Sequence, residues 1–263
     1  MVLRKLFSSL GGTSSSKQPH GKPGARAYAV GDVHGCLAQL DQLLAQIDSD
    51  LNDRPVGEAF LVFVGDLIDR GPDSRGVIER LRTYQRPGVR PIFLAGNHEE
   101  YLLRVLSGER GVLDNWLDYG GKECVESYGV VSDVLAAMPE DEAIALLRRH
   151  IPAEHRRFIE SFGDTFRFGD YLFVHAGIRP GLPLEQQRRA DLRWIRDPFL
   201  HDQGDHGFVV VHGHTIVDEV QEMSNRIGID TGAYRTGILT ALAIDGAERR
   251  FFSAMVNHQR ERA

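Results

Sequence analysis

The sequence predicts an α/β fold in which a parallel half-sheet packs against a second sheet, and three observations point to it. Between residues 26 and 106, short β-branched and aromatic runs alternate with stretches whose apolar residues recur every three to four positions, as strands alternating with helices do. After residue 163 the runs are short and closely spaced, with turns such as Phe168-Gly169-Asp170 and Asp245-Gly246 between them, a hairpin pattern. Five of the runs end, within a residue or two, in Gly with Asp, His or Asn. These ends are Gly31-Asp32-Val33-His34-Gly35, Gly65-Asp66-Leu67-Ile68-Asp69-Arg70-Gly71, Gly96-Asn97-His98-Glu99, His175-Ala176-Gly177 and His212-Gly213-His214-Thr215.

A first strand spans about 26 to 31 and leads into a helix from about 36 to 48, where Leu37, Leu40, Leu43, Leu44 and Ile47 keep the 3.6-residue period. A strand at 59 to 64 precedes a helix that starts at Asp73, a good N-cap, and runs through Val77, Ile78 and Leu81. Pro87-Gly88 ends that unit. A third strand covers 91 to 95, and a helix opens at Glu99 with Tyr101, Leu102, Leu103 and Leu106 inward. Right-handed crossovers then place the three carboxyl ends on one edge of the sheet, where ligands of open α/β sheets bind.

Residues 108 to 162 change character, with helical stretches around 131 to 138, 140 to 149 and 153 to 162. They read as a helical insertion beside the site. Its loop from Asp114 to Gly121 carries Trp116 and Tyr119, which are expected to pack rather than to recognise a ligand. Strands at 164 to 168, 171 to 175, 208 to 212, 219 to 223, 226 to 230, 238 to 244 and 249 to 254 are expected to form a mainly antiparallel second sheet. Residues 1 to 25 read as a flexible basic leader, 26 to 257 as one domain and 258 to 263 as a tail.

At 263 residues and 42% hydrophobic, the chain can bury a full core. Its net charge of -6 is unevenly spread, since residues 1 to 31 hold five basic residues and no acid, leaving 26 basic against 37 acidic residues beyond them. An acidic body binds nucleic acid poorly, so no nucleic-acid partner is expected. No run of 18 apolar residues exists, and the start MVLRKLFSSL is too short for a secretory signal. The two cysteines, Cys36 and Cys124, read as reduced, buried thiols, which favours a reducing, cytoplasmic setting.

Any one Gly-rich strand end could be a simple turn, with Gly supplying a positive φ and Asp or Asn satisfying backbone donors. Five in register are not explained that way. They bring carboxylate, amide and imidazole ligands to one crevice without a thiolate, which argues against structural zinc and for an open site of manganese, iron or zinc. Asp32 and His34, two residues apart, can close on one ion, and Asp66 can bridge two. Two ions a few Å apart suit in-line attack on phosphorus. Arg70 can clamp phosphate oxygens, and His98, beside Asn97, is placed to protonate a leaving oxygen with Asp69 to orient it. Spacing alone does not decide between His212 and His214 as ligand.

GDVHG, GDLIDRG, GNHE, HAG and GHT, in this order over roughly residues 27 to 245, resemble the signature of the PPP family of metallophosphatases, most of all its bacterial and phage branch. That branch is also similar in the stretch from Trp116 to Gly121, in Trp194-Ile195-Arg196 and in Ile229-Asp230-Thr231-Gly232-Ala233. The resemblance implies a metallophosphoesterase-type β-sandwich of two mixed sheets flanked by helices (α-β-β-α), with a helical insertion. It implies two divalent ions, manganese before iron or zinc, one held by Asp32, His34 and Asp66 and the other by Asp66, Asn97, His175 and His214. It also implies a His98–Asp69 dyad and places Arg70, Arg196 and Asn97 on the phosphate.

The implied reaction is hydrolysis of phosphomonoesters on serine or threonine of a phosphorylated protein or peptide. Symmetrical diadenosine tetraphosphate hydrolysis, by a sister group whose Asp-Arg pair in the second motif differs, is the alternative. RNA-end hydrolysis and a non-catalytic metal scaffold stand behind it. The intact Asp69-Arg70 pair and an acidic rim that would repel a polyphosphate favour the monoester.

Overall fold

A computed structural model describes residues 18–256. Strands β1 (Ala25–Val30), β2 (Glu58–Phe63) and β3 (Val89–Phe93) alternate with helices α1 (Leu37–Asp53), α2 (Ser74–Arg82) and α3 (Asn97–Ser107). β1 pairs with β2 and β2 with β3, both parallel, as the βαβ order requires. The expected N-cap at Asp73 is present, its side chain accepting from Gly76 N at 2.7 Å.

Helices α4 (Leu113–Trp116), α5 (Lys122–Ser127), α6 (Ser132–Ala136), α7 (Glu140–His150) and α8 (Ala153–Glu160) follow, with a π-helical turn at Leu117–Gly121. They make up the helical segment read from the sequence at 108 to 162. Beyond them lie β4 (Thr165–Phe168), β5 (Tyr171–Val174), α9 (Arg189–Trp194), β6 (Val209–His212), β7 (Gln221–Glu222), β8 (Arg226–Gly228), α10 (Ala233–Thr236), β9 (Ile238–Asp245) and β10 (Glu248–Met255).

The two five-stranded sheets run β10-β9-β1-β2-β3 and β4-β5-β6-β8-β7. This corrects the expectation of a mainly antiparallel second sheet. β5–β6 and β6–β8 are parallel, and the β9–β10 hairpin joins the first sheet through antiparallel β1–β9 pairing. Both sheets are therefore mixed, in the α-β-β-α sandwich the fold resemblance implied.

Alternation along β1 shows why. Ala25, Ala27 and Ala29 face a core shared with Phe60, Val62, Phe173, Val211 and Ile229 between the sheets. Tyr28 and Val30 face Leu40, Leu44 and Ile47 of α1 on the outer side. The second sheet's outer face, Leu172, Val174 and Val210, packs on Leu192, Ile195 and Phe199.

Residues 18 to 24, expected in the leader, are bonded to the body. Gly21 N donates to Gly246 O at 2.8 Å, His20 N to Asp170 Oδ2 at 3.0 Å, and Gln18 Nε2 to Ala247 O at 3.3 Å, so residues 18 to 24 belong to the body. Residues 1 to 17 of the expected leader and the expected tail, 258 to 263, lie outside the described residues. Among the described residues no helix is long and apolar enough to cross a membrane. Cys36 and Cys124 are both free and buried, and burial pushes the Cys36 thiol up to about 12.

Candidate metal centre

The loops after β1, β2, β3, β5 and β6 converge on Asp66. His34, Asp66, Asp69, Arg70 and His214 all have positive φ, from 45° to 73°, a region uncommon for residues other than Gly, Asn, Asp and His and concentrated at functional sites. Four Å-scale relations define the centre. His175 Nε2 lies 3.3 Å, His34 Nε2 3.7 Å and His98 Nε2 3.9 Å from Asp66 Oδ2, and His175 Nε2 lies 3.0 Å from Asn97 Oδ1.

The imidazoles are held in one orientation by backbone. His175 Nδ1 donates to Val64 O at 3.0 Å and His34 Nδ1 to Ile68 O at 2.8 Å, leaving both Nε2 atoms toward Asp66, the arrangement seen for metal-ligating histidines. Two groups of ligand atoms, His34–Asp66–His98 and Asp66–His175–His214, have the separations needed to hold an ion. Buried His214 Nε2 and Asp32 Oδ1 have no protein partner. Such orphaned donors and acceptors are costly, and a divalent cation fits them.

The carboxylates divide by environment. Burial raises Asp66, but the surrounding His175, His98 and His34 outweigh it and hold Asp66 well below the usual carboxylate range. Burial, with Asp230 and Asp66 adding like charge, drives Asp32 well above it, the signature of a site short of positive charge. Asp32 Oδ2 accepts from His214 N at 2.9 Å. Burial lowers His214 to about 2 and His212 to about 4, so both stay neutral. Only His214 joins a metal-capable group, while His212 packs edge-on to Phe199 at 5.1 Å.

His98 Nδ1 donates to Asp69 Oδ2 at 2.6 Å, the dyad expected from the sequence. Arg70 Nη1 lies 2.8 Å from His34 Nε2, and its guanidinium stands 5.1 Å over the Tyr234 ring. Arg70 is thus at the centre, engaging a lone pair an ion would also use. Arg196 is exposed and acts on the cluster by charge, lowering His214. Arg193, its neighbour, is tied to Asp164 at 2.6 Å and Glu100 at 3.2 Å and is not free for a phosphate.

Three contributors were not assigned from the sequence. Glu99 accepts from Asp66 N at 2.9 Å, Leu67 N at 2.7 Å and Gly96 N at 2.9 Å, clasping the second and third loops together. Its position three residues after Gly96, at a helix start, was the available signal. Gly96 is needed because a Cβ there would meet Asp66 Oδ1 at 2.0 Å. Asp230 is buried and adds like charge to Asp32, and Ile229-Asp230-Thr231-Gly232-Ala233 assigns it no role by itself. Trp116, expected only to pack, donates Nε1–H to Asp69 Oδ2 at 2.8 Å, and no sequence signal links it to a residue 47 positions away.

A family model described as calcineurin-like phosphoesterase matches residues 25–235. Serine/threonine-protein phosphatase 1 of Salmonella typhimurium is 31% identical over 82% of this chain and 91% of its own. The asymmetrical bis(5'-nucleosyl)-tetraphosphatase PrpE of Halalkalibacterium halodurans is 28% identical over 81% of this chain and 87% of its own. The symmetrical bis(5'-nucleosyl)-tetraphosphatase of Janthinobacterium sp. is 34% identical over 58% of this chain, and the match spans less than half of that protein, 44%. A crystal structure of a protein provisionally assigned as a diadenosine tetraphosphatase shares the fold at a TM-score of 0.62, with 23% identity over 90% of this chain and 97% of its own.

Proposed function

The chain belongs to the calcineurin-like phosphoesterase family and is a metal-dependent phosphoesterase, and from that premise we propose that it hydrolyses bis(5'-nucleosyl) polyphosphates. What carries this reading is the recurrence of relatives named for that substrate, over 81% of the chain in one case and 58% in another. It replaces the phosphoprotein reading favoured by the sequence alone.

Asp32, His34 and Asp66 would hold one divalent ion, and Asp66, Asn97, His175 and His214 the other. When bound, such ions supply Lewis acidity and activate water for attack on phosphorus. The chain's own groups do the rest. Arg70 binds non-bridging phosphate oxygens, with Arg196 at the rim. His98 delivers a proton from Nε2 to the leaving oxygen, while Asp69 holds Nδ1–H and so fixes the tautomer. Glu99 keeps the second and third loops in register.

A second reading, hydrolysis of phosphoserine or phosphothreonine in proteins, is favoured by the Salmonella relative and by the Asp69–His98 dyad, since an alkoxide needs a proton more than a phosphate leaving group does. Diadenosine tetraphosphate and a phosphothreonine peptide, compared under one metal and salt condition, separate the two. We expect the dinucleotide to have at least tenfold higher kcat/KM. The reverse order would install the second reading.

A further inference from the structure

Aromatic side chains beside the centre form a continuous track that ends in solvent. Tyr119, in the π-helical turn, is 59% exposed. Its ring lies nearly parallel to that of Tyr101, at 6.2 Å and 18°. Tyr101 meets Trp194 edge-on at 5.2 Å, and Trp194 meets His214 edge-on at 6.5 Å. The track therefore runs from an open tyrosine face to a metal-capable imidazole.

The turn carrying Tyr119 is pinned to the phosphate-binding arginine. Arg70 N donates to Gly120 O at 2.9 Å. Gly120 sits at φ 112°, and a Cβ there would meet Arg70 Cγ at 2.5 Å, so only Gly allows this approach. Arg104 is paired with Glu109 at 2.9 Å and Arg193 with Asp164 and Glu100, which leaves Arg196, already placed at the rim, for the phosphate. What the track offers a ligand is a π face.

We propose that Tyr119, backed by Tyr101 and Trp194, is the ledge on which one base of a dinucleoside polyphosphate stacks, with the polyphosphate passing Arg70 toward Asp66. This rests on the nucleotide reading above. Every nucleobase has a face that stacks on an aromatic side chain, whereas a phosphorylated serine or threonine has none. The placement also explains why a large ring stays in water one residue from a glycine locked on Arg70.

The test compares wild type, Tyr119→Ala and Tyr119→Phe on diadenosine tetraphosphate and on p-nitrophenyl phosphate, reading the ratio of the two kcat/KM values. Tyr119→Ala should lower that ratio by roughly tenfold, the size of one lost stack, chiefly through KM for the dinucleotide, and Tyr119→Phe should restore it. An unchanged ratio in Tyr119→Ala, with wild type still cleaving the dinucleotide, overturns the ledge and leaves the nucleotide reading standing. If wild type does not cleave the dinucleotide, and Tyr119→Ala instead weakens turnover of a phosphothreonine peptide, the nucleotide reading and the ledge fall together.

Discussion

Trp116 and His98 share one oxygen: the indole N–H donates to Asp69 Oδ2 at 2.8 Å, and the imidazole Nδ1–H reaches the same atom at 2.6 Å. Trp116 is fully buried, so its N–H has no water to fall back on. The helical segment thus reaches the dyad through this hydrogen bond, and Trp116's role there is positional. Trp116→Phe removes the donor and keeps an aromatic ring, though a smaller one. We expect kcat to fall by about tenfold on a substrate with a poor leaving group and less on p-nitrophenyl phosphate, with metal content unchanged. An equal loss on both substrates would mean that Trp116 only supports packing.

A second network, remote from the centre, sets acid stability. Asp50 accepts from Arg26 Nη1 at 3.2 Å, from Arg250 Nη2 at 2.9 Å and from the Tyr28 hydroxyl. Burial raises Asp50, but Arg250 and Tyr28 outweigh it and hold it at about 2. A depressed carboxylate contributes stability above its unfolded pKa of about 3.9 and loses it as pH falls toward its folded value. Asp50→Asn should therefore cost about 2 kcal/mol at pH 7, because Arg250 and Tyr28 lose their charged partner while Arg26 keeps Asp245 at 2.6 Å. The gap from wild type should narrow by about 1 kcal/mol at pH 3. Urea denaturation at both pH values checks this, and a gap of equal size at each would show that the charge of Asp50 is not what matters.

The strand ends were legible because each is a contiguous apolar run closed by Gly and a ligand-type residue, so local pattern alone brought Asp32, His34, Asp66, Asn97 and His175 to one crevice. His214 and His212 differ only in the direction their side chains take after β6, which a spacing of two does not encode. The β9–β10 hairpin was legible as a hairpin, but not as the neighbour of β1, since which open edge receives it depends on the finished first sheet. Glu99, Asp230 and Trp116 act through what they face after packing, on atoms 32 to 47 positions away in the case of Glu99 and Trp116.

Asp66 occupies the middle of the centre at φ 48°, and Asn tolerates that backbone as well as Asp does. Asp66→Asn can also still accept from His98 N, now 3.1 Å from Oδ1. The variant should fold, and it removes the charge that three imidazoles surround. We expect metal content below one ion per chain and turnover lost, because an amide does not bridge two cations. Two ions per chain with near wild-type turnover would exclude Asp66 as the bridge.

His98 stands between two roles, since its Nε2 is close enough to Asp66 to join a metal-capable group while its Nδ1 is committed to Asp69. Burial lowers its pKa, but Asp66 and Asp69 outweigh that and raise it above the ordinary 6.5. A general acid must be protonated, so its contribution persists below the raised pKa and disappears as pH climbs through it. His98→Asn should lower kcat by roughly 10²- to 10³-fold on a poor leaving group, the range for one lost proton donor. It should also flatten the alkaline limb of the kcat profile and keep the bound metal. The rate, the limb and the metal content respond differently to the two roles. Loss of metal in step with rate, with the alkaline limb still in place, would make His98 a ligand, and the proton would have to come from solvent.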